Sequence, residues 1–167
     1  DKNRVVPHAA VESWLRASGM AWTFVRPSFF HQNLSTTHVS DIRDRDEIVV
    51  PAGGGATAFV DVQDVAAVAA AALLDPDRHA GRAWTVTGPR ALTYRQIADI
   101  LSRELDRPVR YTRPGVWHYT TARLGLAAGL TDDARTVLGR DPVDFVAFAH
   151  RVRDAWIPQT SQEKEHR

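Results

Sequence analysis

Two short apolar runs constrain the fold of this chain more than any other feature. Residues 21–25 and 83–87 are rich in aromatic and β-branched side chains, and each run ends at a proline-containing break. Their length and composition predict buried strands. Apolar strands of this kind are covered by helices on both faces, as in parallel sheets. Because two strands alone make a poor sheet, the pattern predicts an α/β fold that forms part of a larger sheet.

Helix signals lie between and around these runs. Asp61 is expected to cap a helix over residues 62–74 and Asp64 to add negative charge to its first turn, while Thr93 and Gln96 form a capping box for a helix reaching Leu105. An earlier helix ends at Ser18-Gly19. The remaining predictions are helices over 29–38, over 116–126 and from Asp141-Pro142, small strands at 48–50 and 109–111, and a glycine turn at 53–55.

Composition excludes several classes of protein. The net charge of +1 provides no strong field to attract nucleic acid or anionic lipid, and the absence of cysteine excludes disulfides and thiolate chemistry. The longest apolar stretch, residues 65–74, is too short to cross a bilayer. The first residues lack the pattern of a secretion signal, so a cytoplasmic location is expected. The basic stretch of Arg103, Arg107, Arg110 and Arg113 is interpreted as a solvated helix end rather than a phosphate site.

Common catalytic motifs are absent from the sequence. It contains no HExxH metal motif and no G-x-S-x-G nucleophile elbow, so neither a metal site nor a serine triad is expected. Asp61 and Asp64 could form an acid–base pair, but helix capping explains both of them more simply.

Four segments in order carry a family resemblance. They are VESWLRASGMAWTFVRPSFFHQN, FVDVQDVAAVAAAALLD, GRAWTVTGPRALTYRQIADILSRELDRPVRY and LGRDPVDFVAFAHRVRDAW. Together they resemble the NmrA-like group of atypical short-chain dehydrogenases. The resemblance implies a partial Rossmann-like parallel sheet with flanking helices, in which residues 1–158 are the C-terminal, substrate-side portion of an NAD(P)-binding domain and 159–167 a polar tail. The dinucleotide half, which opens the group's fold with a glycine-rich turn, is expected to be absent.

The resemblance also implies site residues. Pro27, Ser28 and Phe29 belong to a segment that passes beside the nicotinamide in relatives. Phe29, Phe30, His31 and Asn33 are expected to face the substrate cavity, with core packing as the alternative for each and the favoured interpretation for Phe30. The superfamily's catalytic Tyr and Lys positions fall on Arg4 and His8, so that pair is missing. His8 is the candidate for cofactor contact and proton relay, with a structural hydrogen bond to Glu12 as the alternative. The glycine clusters at 53–55 and 125–129 are interpreted as a turn and a packing site rather than phosphate loops.

The implied activity is NAD(P)H-dependent reduction of a small carbonyl or quinone-like acceptor. NADPH is the favoured cofactor, bound weakly or not at all by this chain alone. Two alternatives stay open, namely a dinucleotide-sensing regulatory module without turnover and a truncated inactive product. Expected partners are the dinucleotide and a small-molecule substrate, with no nucleic acid and no membrane. Either a second copy or a missing N-terminal half is expected to cover the incomplete sheet.

Overall fold

A computed structural model describes residues 8–113 and 127–158 of the 167-residue chain. The strands are β1 (Thr23–Pro27), β2 (Phe29–Phe30), β3 (Glu47–Val49), β4 (Ala56–Val60), β5 (Arg82–Val86), β6 (Ala91–Thr93) and β7 (Arg110–Thr112). The helices are α1 (His8–Ala17), α2 (Val39–Arg45), α3 (Val62–Leu74), α4 (Pro76–His79), α5 (Tyr94–Leu105), α6 (Asp133–Leu138) and α7 (Phe145–Arg151), with 3₁₀ turns at His31–Leu34 and Arg153–Trp156. The helix predicted over 116–126 lies outside the described residues.

The two predicted core strands are parallel neighbours. β1 pairs with β5 in parallel, with Phe24 opposite Ala83 and Val25 opposite Trp84. Helix α3 covers one face of this pair, where its Val65 and Val68 pack in the same cluster as Val25. The prediction of buried strands in a parallel arrangement covered by helices is confirmed for these two runs.

Two further small sheets complete the α/β architecture. β2 pairs in parallel with β4, β4 pairs antiparallel with β6, and β3 pairs in parallel with β7. Helix α5 and the C-terminal α7 pack around these strands to form the largest apolar cluster, which includes Phe59, Ile97 and Phe148. The resemblance of the segment FVDVQDVAAVAAAALLD implied a strand-to-helix junction, and β4 leads into α3 there, with four of its five residues buried.

The predicted caps of α3 and α5 are both present. The Asp61 carboxylate accepts a hydrogen bond from the Gln63 backbone N–H at 2.9 Å, and Thr93 and Gln96 form the complete capping box. Asp64 lies in the first turn of α3, as predicted, and it has a further role. Its fully buried carboxylate accepts a hydrogen bond from the Val143 N–H at 2.6 Å.

Three local predictions were wrong. Residues 29–38 do not form one helix, because Phe29 and Phe30 pair with β4 and a 3₁₀ turn follows them. The last helix begins at Phe145 and is capped by Asp144 rather than by Asp141, because the Asp144 carboxylate accepts the Val146 N–H at 2.9 Å. Gly129, predicted as part of a packing site, has nothing within 4 Å of an added Cβ.

Arg107 also departs from the expected solvated helix end. Its guanidinium pairs with Asp46 and donates to the backbone carbonyl oxygens of Ile42 and Trp156. These contacts fasten the end of α5 to α2 and to the C-terminal 3₁₀ turn, so this arginine has a structural role.

Candidate functional site

The residues predicted to contact the cofactor lie at the carboxyl ends of the parallel strands. β1 ends at Pro27, and the Ser28 N–H donates to the carbonyl oxygen of Val86, the last residue of β5, at 3.0 Å. Phe29 then enters β2 opposite Phe59. Residues 27–29 therefore occupy the edge at which open α/β sheets bind ligands.

Two polar side chains near this edge lack protein partners. Among the residues that the structure describes, neither the Ser28 hydroxyl nor the Asn33 side-chain amide makes a hydrogen bond, although both residues are half-buried. Half-buried polar groups without partners are available to a ligand or to water. Phe30 packs against the cluster of Val60, Val68 and Val86, in line with its alternative core interpretation.

His31 lies deep among aromatic side chains. It is 2% exposed, and its ring lies 5.2 Å from the rings of both Phe145 and Phe148. Among the described residues, its Nδ1 has no hydrogen-bond partner. Burial lowers the pKa of His31 to about 4, against the opposing influence of nearby carboxylates such as Asp61. The imidazole is therefore neutral near pH 7, and its predicted contact with a substrate stays a prediction.

His8 is the first residue of α1 and is exposed. Glu12, one turn later, forms an ion pair with Arg26. Arg26 donates from Nε to Glu12 Oε1 at 2.7 Å and makes a second bond to Oε2. The hydrogen bond from Arg26 lowers the pKa of Glu12, and the same bond raises the pKa of Arg26. Arg26 therefore has a structural role, because this bidentate pair ties α1 to the carboxyl end of β1.

A buried polar network that the sequence did not reveal supports the turn after β2. Gln32 donates from Nε2 to Asp61 at 2.8 Å and accepts the Val62 N–H at 3.1 Å, and Arg151 of α7 donates to the other Asp61 oxygen. Burial would raise the pKa of Asp61, but hydrogen bonds from Gln63, Arg151 and Gln32 outweigh it and keep the pKa below its usual value. The carboxylate stays ionised and joins three segments of the chain. The sequence predicted Asp61 as a helix cap, but no sequence pattern indicated that Gln32 and Arg151 would bond to it.

The Asp64 carboxylate binds the C-terminal segment in a similar way. Besides the bond from Val143, it lies 2.8 Å from the Arg140 guanidinium. Both carboxylates at the start of α3 are thus neutralised by arginines from residues 140–151. Neither is placed as a free general acid or base.

The fit of a dinucleotide differs between its two ends. At the edge formed by residues 27–29, the half-buried Ser28 hydroxyl is available to hydrogen-bond a polar group such as the nicotinamide carboxamide. The pyrophosphate end does not fit, because no helix in the described ranges follows a glycine-rich turn as phosphate binding requires. Residues 53–55 form a turn that leads into β4, and the first turn of α3 already contains two carboxylates.

Neither a metal-binding cluster nor a membrane-spanning helix is present in the described ranges. Within 8–113 and 127–158, no group of three or more His, Asp or Glu side chains could hold a metal ion. In the same ranges no helix has the length and hydropathy to cross a membrane.

Comparison with known proteins identifies relatives. Residues 7–119 match the model of the NmrA-like family. The chain is 38% identical over 135 residues to an NAD(P)H azoreductase from Xenophilus azovorans, covering 80% of this chain and 46% of that protein. It is 44% identical over 105 residues to a (4-alkanoyl-5-oxo-2,5-dihydrofuran-3-yl)methyl phosphate reductase from Streptomyces griseus, covering 63% of this chain and 36% of the relative.

A solved structure shares the fold. The NADPH-dependent quinone oxidoreductase from Escherichia coli, solved with NADPH, superposes with a TM-score of 0.76 at 18% identity and covers 87% of this chain and 58% of that one. The chain thus spans about half the length of the relatives it matches. Because the family model covers more than half of the chain and the azoreductase exceeds 30% identity over four fifths of it, this protein belongs to the NmrA-like family.

Proposed function

We propose that this chain is the substrate-side portion of an NAD(P)H-dependent reductase that acts on a small carbonyl or quinone-like acceptor. The observation that carries the proposal is the position of residues 27–29 at the carboxyl ends of β1 and β5, next to polar side chains without partners. The names of the relatives support the same class, since they include an azoreductase and a quinone oxidoreductase. NADPH is our proposed cofactor.

The proposed roles follow from chemistry and position. A bound dihydronicotinamide supplies a hydride. The Ser28 hydroxyl can hydrogen-bond the carboxamide, while Pro27 and Phe29 provide apolar contact. The Asn33 amide can donate a hydrogen bond to an acceptor oxygen, beside Phe30 and His31.

The proton that accompanies reduction needs a donor near the site. Neutral His31 has one N–H, but its burial isolates that group from solvent protons. Exposed His8 can exchange protons with water, and we propose it as the relay and as a contact to a ribose hydroxyl. The Glu12–Arg26 pair would hold α1, and with it His8, against the end of β1.

Fragments of the cofactor test this proposal. Reduced nicotinamide mononucleotide and 2′,5′-ADP are titrated separately into the ¹⁵N-labelled chain, and amide shifts are followed by NMR. We expect the nicotinamide fragment to shift residues 27–33 and the adenosine fragment to shift none specifically.

Matched variants identify the contact. Ser28→Ala should weaken binding of the nicotinamide fragment, whereas Ser40→Ala on the exposed surface of α2 should not. Shifts that avoid residues 27–33, or equal effects of the two variants, would contradict the proposed site.

A further inference from the structure

The two central side chains of the 3₁₀ turn His31–Leu34 differ in how they are satisfied. The Gln32 amide donates from Nε2 to Asp61 Oδ1 at 2.8 Å and accepts the Val62 N–H at its Oε1 at 3.1 Å. The half-buried Asn33 amide makes no hydrogen bond with any residue that the structure describes. Gln32 therefore fastens the turn to the start of α3, and Asn33 is left available to a ligand.

The C-terminal segment holds Asp61 and, through it, Gln32. Arg151, the last residue of α7, donates to Asp61 Oδ2, and its guanidinium carbon lies 5.7 Å from the centre of the Phe148 ring. Asp61 is fully buried, and a buried carboxylate stays ionised only beside an opposite charge or several hydrogen-bond donors. Without the guanidinium, the carboxylate has to take up a proton or rotate toward water, and either change alters its bond to Gln32.

The other end of the same turn is held from the same segment. The indole N–H of Trp156 donates to the Leu34 carbonyl oxygen at 2.8 Å, and both residues are fully buried. Trp156 is itself fixed by Arg107, which donates to the Trp156 carbonyl oxygen at 2.7 Å. Arg151 and Trp156 thus hold opposite ends of the turn that carries Asn33.

We propose that Arg151 and Trp156 are positioning residues, which hold the Asn33 amide where it hydrogen-bonds an oxygen atom of the acceptor. This inference rests on the proposed function, in which Asn33 contacts that oxygen. A donor that is already held in place loses less conformational freedom on binding, so its support affects affinity. The proposal extends the candidate site to the far end of the sequence, since Trp156 lies 122 positions after Leu34.

Backbone relaxation of the ¹⁵N-labelled chain tests the positioning without any ligand. The test variant is Arg151→Gln. The matched control is Arg153→Gln, which removes an arginine of similar exposure from the same segment, where it donates to the Glu104 carbonyl oxygen of α5 at 2.9 Å. We expect amide order parameters of about 0.85 at residues 32–34 in the natural chain and in the control, and a fall toward about 0.6 in Arg151→Gln.

Binding of a quinone tests whether the position of Asn33 matters. Menadione, a small quinone, is titrated into the natural chain, Asn33→Ala, Arg151→Gln and the double variant, and amide shifts are followed by NMR. Loss of one hydrogen bond should weaken binding roughly fivefold in each single variant. Because Arg151 acts through Asn33, the double variant should bind no more weakly than Asn33→Ala. Arg153→Gln should bind as the natural chain does.

Two further variants keep the proposal testable if Arg151→Gln does not fold. Trp156→Phe keeps a buried ring and removes only the indole N–H, so residues 32–34 should again lose order. Arg151→Lys keeps a positive charge beside Asp61 and should retain most of the order that the natural chain has. Unchanged amide shifts in β1 and β5 report that each variant is folded.

Three results would overturn the proposal. One is order at residues 32–34 that is the same in Arg153→Gln as in Arg151→Gln or, where that variant does not fold, as in Trp156→Phe. The second is affinity for menadione that Arg151→Gln leaves unchanged. The third is a double variant whose loss equals the sum of the single losses, because independent effects add. Absence of menadione binding to the natural chain would contradict the proposed function instead, and the order parameters would still decide the positioning.

Discussion

Acid should destabilise this protein through His31 at a pH where carboxylates are still ionised. The pKa of His31 is lowered from 6.5 to about 4 by burial, so the folded protein keeps the imidazole neutral. The unfolded chain takes up the proton as the pH falls below about 6.5. Stability is therefore fully present above pH 6.5 and is lost as the pH falls toward 4.

The magnitude follows from the size of this shift. A difference of about 2.5 pKa units corresponds to about 3 kcal/mol of unfolding free energy when fully developed, of which about 2 kcal/mol is already lost at pH 5. The 2% exposure of His31 means that little solvent screening reduces this value. The neighbouring charges are the carboxylates of Asp61, Asp64 and Asp144, which favour protonation, and the Arg151 guanidinium, which opposes it.

The assay compares urea unfolding of the natural chain and of His31→Phe at pH 7.5 and pH 5, followed by tryptophan fluorescence. The variant keeps ring contacts with Phe145 and Phe148 but cannot titrate. The natural chain should lose about 2 kcal/mol more than the variant between the two pH values. The same pH dependence in both proteins would refute the reasoning, whatever their absolute stabilities.

Three further predictions concern named contacts. Gly88→Ala should lower the free energy of unfolding by about 2 kcal/mol in urea titrations, because an added Cβ would lie 2.2 Å from the Phe59 carbonyl oxygen, whereas Gly129→Ala, with nothing within 4 Å, should have little effect. Asp61→Ala should cost about 2 kcal/mol, since it removes a helix cap and leaves Gln32 and Arg151 without their acceptor; a loss below 0.5 kcal/mol would contradict the network. Glu12→Gln should speed amide exchange across α1 and lower the free energy of unfolding by less than about 1 kcal/mol. The reason is that, in the described ranges, the Glu12–Arg26 pair alone joins α1 to β1 by side-chain hydrogen bonds. Unchanged amide exchange in α1 would contradict that role.

The sequence predicted those elements whose signals are local. The capping box at Thr93 and Gln96 and the cap at Asp61 act within one turn, and the two apolar runs need helical cover wherever they lie. The apolar character of the two runs also predicted parallel strands. The resemblance to the NmrA-like group rested on the same segments and was confirmed.

The wrong predictions concern residues whose secondary structure or burial depends on contacts with distant parts of the chain. Residues 29 and 30 became a strand because β4 offers them hydrogen-bonding partners, which no local pattern shows. Asp144 replaced Asp141 as the cap because its neighbour Val143 is held by Asp64, 79 positions earlier in the chain. Burial of His31 likewise depends on α7, which approaches it from the other end of the sequence.

We propose that this chain holds the nicotinamide side of a dinucleotide site and that the described ranges, 8–113 and 127–158, provide no phosphate-binding turn. Isothermal titration calorimetry of the isolated chain with NADPH tests it most directly. We expect a Kd no tighter than about 1 mM, or about −4 kcal/mol, because the described ranges offer the pyrophosphate no helix N-terminus after a glycine turn. Micromolar binding would show that the chain contains a phosphate site and would contradict this proposal.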